Sequence, residues 1–330
     1  MYDQTVVIFP KKFVGNELKR IDFLDKECRI GTKGIVMLEN GFYKHDSLLM
    51  LTAIIWGSAF VAQRVGMSYV GPLTFNGVRF ALGAIVLLPL VKWRNKYQRT
   101  TSSLQRTSLA QQGLWGGVLA GLILFSGATL QQIGLVHTTA GKAGFITGLY
   151  VIIVPLMGLF LGHWPGWGGW VGACCATIGL YLLSMTEAWT FAPGDFWELF
   201  GAFFWAAHVL VLSWLSPRTE RIKLACTQYA VCSILSLLGA CFTETITLDG
   251  INGAMIPILY GGILSVGIAY TLQVVAQRYA PPIHAAVILS LEALFAALAG
   301  WLILGEMLSL RSLIGCVFMF AGMLSALLWS

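Results

Sequence analysis

Arg79 and Glu292 each lie near the middle of a long apolar run. A charge at the centre of a bilayer costs about 2.5–3.5 kcal/mol on insertion scales, so each side chain must face protein or water. Two roles fit them. One is a substrate or proton site; the other is a structural ion pair or, for Glu292, a carboxylic acid kept neutral by burial. Arg79 has a further structural option, since an arginine can bond helix-end carbonyls.

Lys142 lies eight residues before Tyr150, and His284 eight residues before Glu292. At 1.5 Å and 100° per residue, that step is about 12 Å and about 80° on a helix, so both members of each pair can reach one broad face. The Lys142 ammonium can snorkel to the surface or hold a substrate carboxylate or phosphate inside; the interior is favoured. Gln131 and Gln273 are polar groups of the same kind, as are Asn76, Gln63 and Tyr270. Trp56 and Trp205 either pack or shape a pocket. His208 can titrate near neutral pH or simply bond a neighbouring helix. The five histidines are scattered, so no metal site is expected, and no cofactor is implied. The phosphate-cradling GxxxxGK[ST], HExxH and GxSxG are missing, so the chain is not read as an enzyme.

Composition dictates the elements that must position these groups. The chain has 330 residues, 57% hydrophobic and 11% charged, with a mean hydropathy of +0.76. Soluble domains run near 25% charged. A soluble enzyme, a disordered protein and a nucleic-acid binder are excluded, and the lipid bilayer is the expected surrounding. A hydrocarbon core about 30 Å thick needs about 20 apolar residues per helix. Ten such runs follow one another: 48–67, 72–91, 113–136, 138–161, 168–186, 196–216, 222–242, 254–276, 282–304 and 311–329. They lack period-2 alternation, which excludes a β-barrel. Small-xxx-small pairs such as Gly117/Gly121 and Gly168/Gly172 predict close helix contacts. A kink is expected at Pro155 and a helix start at Pro281–Pro282. Six of the seven cysteines lie in apolar runs and are read as small packing residues.

The net charge of +6 is unevenly placed. Lys92, Arg94, Lys96, Arg99 and Arg106 follow span 2; Arg218, Arg221 and Lys223 follow span 6; Arg278 follows span 8. Glu187, Glu244, Asp249 and Glu306 lie on the other side, with Arg311 the one basic exception. By the positive-inside rule both termini are cytoplasmic. Residues 1–46 have no sustained period. They are read either as a cytoplasmic tail or as translation from upstream of a natural start at Met37, and no function is placed there.

The chain repeats itself. Thr129, Leu130 and Gln131 match Thr271, Leu272 and Gln273 at a shift of 142, which also aligns Lys142 with His284 and Tyr150 with Glu292. At a shift of 143, Gly172 and Gly179 match Gly315 and Gly322; upstream, Ala53 and Trp56 match Ala202 and Trp205. A five-span unit enters the membrane upside down when duplicated, so equivalent loops should carry opposite charge. They do: the loop after span 2 is basic, and its counterpart after span 7 holds Glu244 and Asp249. Inverted repeats of this kind are the architecture of many secondary transporters, with substrate held near the midplane.

WGSAFVAQR (56–64), VRFALGA in span 2, TTAGKAGFITGLYVIIVPL in span 4 and SLEALFAALAGWLILGE (290–306) together resemble the EamA-type branch of the drug/metabolite transporter superfamily. The resemblance covers about residues 48–330. It implies an all-α integral membrane protein of ten helices in two inverted five-helix repeats, 48–186 and 196–329. It implies a secondary transporter, with export of amino-acid-like or other small metabolites the first expectation. Import and a non-transporting receptor or scaffold are the alternatives. A bacterial cytoplasmic membrane is the expected location, and a coupling proton or ion a candidate partner. The cavity is expected among spans 1, 3, 4, 6, 8 and 9.

Overall fold

The computed structural model describes residues 44–97, 103–162, 164, 166–184, 193–305 and 309–328. The readings of the N-terminal tail before Lys44 lie outside these residues. All described elements are helical, as lipid requires: with no water to satisfy them, backbone groups must bond within their own segment. The helices are α1 (Lys44–Gly66), α2 (Pro72–Tyr97), α3 (Ser103–His137), α4 (Ala140–Gly148), α5 (Tyr150–Phe160), α6 (Trp167–Ser184), α7 (Pro193–Leu215) and α8 (Arg221–Thr243). They continue as α9 (Leu248–Gly253), α10 (Met255–Leu259), a π-helical segment (Tyr260–Tyr270), α11 (Thr271–Ala276), α12 (Pro282–Leu289), α13 (Glu292–Leu304) and α14 (Leu310–Leu328). Among the described residues nine helical stretches are long and apolar enough to cross a membrane. The fifth span is the shorter apolar helix Trp167–Leu182 within α6. Large apolar side chains such as Leu122, Phe203, Ile234, Ile268 and Val317 are exposed around the bundle, where lipid is their natural solvent.

The fourth and ninth spans are each divided in mid-course. Leu149 separates α4 from α5, and Ser290–Leu291 separates α12 from α13. Leu149 N–H donates to Ile146 O and Leu291 N–H to Ile288 O, both at 3.2 Å, so the ladder tightens from four residues to three at repeat-equivalent places. The kink expected at Pro155 is not where the chain breaks; α5 runs through that proline. The position equivalent to Pro155 is Ala297, yet the ninth span breaks at the matching point, so proline is not the cause.

Packing follows the glycines. A Cβ at Gly172 would meet the Gly322 carbonyl oxygen, and one at Gly179 the Gly315 carbonyl oxygen. α6 and α14 therefore touch backbone to backbone through two repeat-equivalent pairs, which is how helices gain contact where lipid supplies no hydrophobic drive. Gly57 does the same between α1 and α13, against the Glu292 carbonyl at the break. Arg64 donates to the Leu135 and Val136 carbonyls at 2.8 and 3.2 Å and ties α1 to the end of α3. Glu244 after α8 accepts from Leu73 N–H, Thr74 N–H and the Thr74 hydroxyl at 2.7–2.8 Å, satisfying the open first turn of α2.

Candidate functional site: a charged cavity between the repeats

The two mid-span breaks and the π segment converge on one cavity. Its lining comes from both repeats: Trp56, Phe60 and Gln63 on α1, Arg79 on α2, Gln131 on α3, Thr147 and Tyr150 about the first break, and Trp205 and Val209 on α7. Ser265, Tyr270 and Gln273 from the eighth span and Leu289 and Glu292 about the second break complete it. The space among these atoms is about 420 Å³ counting its open side.

Arg79 is 1% exposed, and Asn76, one turn earlier, explains its pose. Asn76 Nδ2 donates to the Ala128 carbonyl at 3.0 Å, which leaves its Oδ1 to accept from Arg79 Nε at 3.0 Å. The guanidinium carbon lies 4.9 Å from the Phe80 ring centre and 5.5 Å from that of Phe75, a cation–π arrangement. Among the described residues no carboxylate pairs with it. Glu292, 4% exposed, begins α13 at the second break, with Tyr150 of α5 against its carboxyl group. Arg79 and Glu292 thus line one cavity without forming an ion pair with each other or with any described side chain. The tight turn before Glu292 puts its side chain at the cavity rather than along a straight helix face.

The wall between the charges is aromatic. Tyr270, at the end of the π segment, lies 4.5 Å between ring centres from Trp56 and 6.1 Å from Trp205. Trp56 Nε1 donates to the Ser265 carbonyl at 3.4 Å. Towards one end, Gln131 Nε2 donates to Gln63 Oε1 at 3.2 Å.

Nine of the residues singled out by sequence line this cavity: Trp56, Gln63, Arg79, Gln131, Tyr150, Trp205, Tyr270, Gln273 and Glu292. Four do not. Asn76 stands behind Arg79. His208 backs the aromatic wall, 6.1 Å from Trp205 between ring centres and bonded at 3.0 Å to Gln228. Lys142 pairs through its ammonium with Asp195 of α7, so the favoured interior placement gives way to an ion pair at one end of the bundle. His284 bonds Asp46 of α1 at 2.8 Å at the other end and the Ala326 carbonyl at 3.1 Å. Asp46 and Asp195 were missed by sequence reasoning. Asp46 was counted with the tail, although α1 begins at Lys44. Both were legible in principle, because the shift of 149 that aligns Trp56 with Trp205 also aligns Asp46 with Asp195. Glu198, buried on α7, was missed too.

The pattern of the EamA-like transporter family matches residues 44–185 and again 192–328. The chain belongs to that family. The double match covers both repeats and makes this EamA-like protein an integral membrane transporter. It is similar, at 31% identity over 277 residues, to an uncharacterized transporter of Archaeoglobus fulgidus, covering 80% of this chain and 79% of the relative. The uncharacterized transporter YoaV of Bacillus subtilis is 20% identical over 83% of this chain and 93% of its own length. A solved crystal structure, 18% identical, shares the fold with a TM-score of 0.67, over 85% of this chain and 96% of that one.

Proposed function

We propose that this EamA-like protein is a secondary transporter that exports small zwitterionic or anionic metabolites, amino-acid-like ones first, across a bacterial cytoplasmic membrane by alternating access. The observation that carries this reading is the pair Arg79 and Glu292: a guanidinium and a carboxyl group, buried to 1% and 4% exposure, on one cavity, neither in an ion pair with a described side chain. A buried charge left without a partner is costly. A substrate carboxylate on Arg79 and a substrate ammonium on Glu292 would supply both partners at once, and the fork of Arg79 suits a carboxylate. Trp56, Trp205 and Tyr270 supply flat apolar walls of the kind that fill small-molecule sites.

Alternating access needs an end that opens and an end that stays shut. Lys142–Asp195 joins the fourth span of one repeat to the first span of the other, and His284–Asp46 does the same at the opposite end. In this reading the Lys142 end faces outward and the His284 end the cytoplasm, as the loop charges ask. Each pair is a latch between repeats, and rocking parts one while the other holds. The break at Leu149 and the break at Leu291 are the matching hinges.

The experiment compares metabolites inside and outside cells producing wild type, Arg79→Ala or Glu292→Gln at matched membrane levels. One metabolite class is expected to accumulate outside with wild type and to lose that excess in both variants. Equal accumulation with wild type and variants would remove Arg79 and Glu292 from the site. Accumulation inside the cells would reverse the direction.

A further inference from the structure

Glu198 on α7 is fully buried. Its Oε2 accepts a hydrogen bond from the Thr147 hydroxyl at 3.1 Å, and its Oε1 has no partner among the described residues. Among the described residues no cation pairs with it. On its own helix the nearest charge is Asp195, three residues earlier and already paired with Lys142; α13 presents Glu292, another acid. α3 presents Gly134, whose missing side chain leaves the room that the Glu198 carboxyl fills. α4 presents Thr147. An ionised carboxylate in such a place pays several kcal/mol of desolvation with no counter-charge, and a bound proton removes that cost.

The repeat shows that this acid is not a relic of duplication. Under the shifts that align the two halves, Glu198 corresponds to Leu49 and Thr147 to Leu289, both fully buried. One end of the bundle therefore has a carboxyl–hydroxyl pair where the other has two leucines. The pair also bridges two regions that matter. Asp195, the latch residue, lies one turn away on α7, and Thr147 lines the cavity. A hydroxyl both donates and accepts, so Thr147 can pass a proton between Glu198 and the cavity.

We propose that Glu198 is a proton-binding site, separate from the substrate cavity, that couples proton movement to transport; this rests on the transporter reading above. When the Lys142–Asp195 latch parts, water reaches Glu198 and exchanges its proton. When the latch closes, the proton has one exit, through Thr147 into the cavity. Loading forms one O–H bond on the carboxylate, and release returns the proton to water; nothing is oxidised or reduced.

The test is infrared spectroscopy of the purified protein in lipid nanodiscs, following the carbonyl stretch of protonated carboxyl groups. Wild type is expected to show a component that Glu198→Gln removes and Glu292→Gln leaves in place. Glu198→Asp should keep that component at a shifted frequency, which covers failure of the glutamine variant to fold. On transfer to heavy water its exchange should run at least several-fold faster in Asp195→Asn than in wild type. Full absorption in Glu198→Gln would overturn the proposal. So would a component whose exchange rate ignores Asp195→Asn, since Glu198 would then be a fixed structural acid. Neither readout needs a substrate: no metabolite shift with an intact, latch-sensitive component would end the metabolite-export reading and leave the proton site standing.

Discussion

Asp195 and Asp46 are the same position of the two repeats, and each binds the basic residue that the repeat also makes equivalent, Lys142 for one and His284 for the other. The two pairs sit at opposite ends of the bundle and cross between repeats in opposite senses. Conformational switching needs a differential contact in each state, and two exchanged latches provide one apiece.

Parting one latch should therefore expose the cavity from one side only. In a variant with the seven native cysteines replaced, a cysteine at Gln131 reports cavity access. Asp195→Asn is expected to raise its reaction with a membrane-impermeant thiol reagent several-fold from the Lys142 side alone. Asp46→Asn should do so from the His284 side alone. Sealed vesicles of known orientation separate the two. Equal gains from both sides in each variant would show general loosening and sink the latch reading.

Arg79 depends on Asn76 for its pose, so the two should fail differently. Asn76→Ala removes the acceptor of Arg79 Nε and the donor to the Ala128 carbonyl. Leaving such buried groups unmet costs about 1–3 kcal/mol. Metabolite movement in Asn76→Ala should fall while some saturable activity remains. Arg79→Lys keeps the charge but loses the planar fork, and should weaken apparent substrate affinity about tenfold or more. A concentration series of the exported metabolite checks both, and an Arg79→Lys variant with unchanged affinity would show that Arg79 does not hold the substrate.

How far the sequence reached is clear from these residues. Period, run length and loop charge report burial and topology, so spans, repeat and the buried Arg79 and Glu292 were legible. Partnership was not. Nothing in a linear apolar run tells that Lys142 meets Asp195 across 53 positions, or that the fourth span breaks at Leu149 while its helix continues through Pro155. Those outcomes belong to helix contacts between repeats. Asp46 was hidden for a different reason: a charge at a span boundary resembles a solvated one until its neighbour is known.

Glu244 carries a prediction about stability and not about transport. Its carboxylate takes two backbone N–H groups and one hydroxyl at the start of α2. Capping interactions of this kind are worth about 0.5–2 kcal/mol. Glu244→Ala should lower the thermal unfolding midpoint in detergent by a few degrees, and Glu244→Gln by less, because one amide oxygen still accepts. An Ala variant as stable as wild type would show that water replaces the cap without loss.

The α6–α14 contact makes the sharpest packing prediction. At Gly179 a methyl group would enter the Gly315 carbonyl oxygen and Met319, and neither backbone can move without separating the helices. Overpacking of this kind costs about 1–3 kcal/mol. Gly113 is the control, since a methyl there meets nothing within 4 Å, and glycine to alanine inside a helix gains up to about 1 kcal/mol. Gly179→Ala should lower the unfolding midpoint, whereas Gly113→Ala should hold or raise it. The opposite order would mean that α6 and α14 do not approach as closely as their paired glycines require.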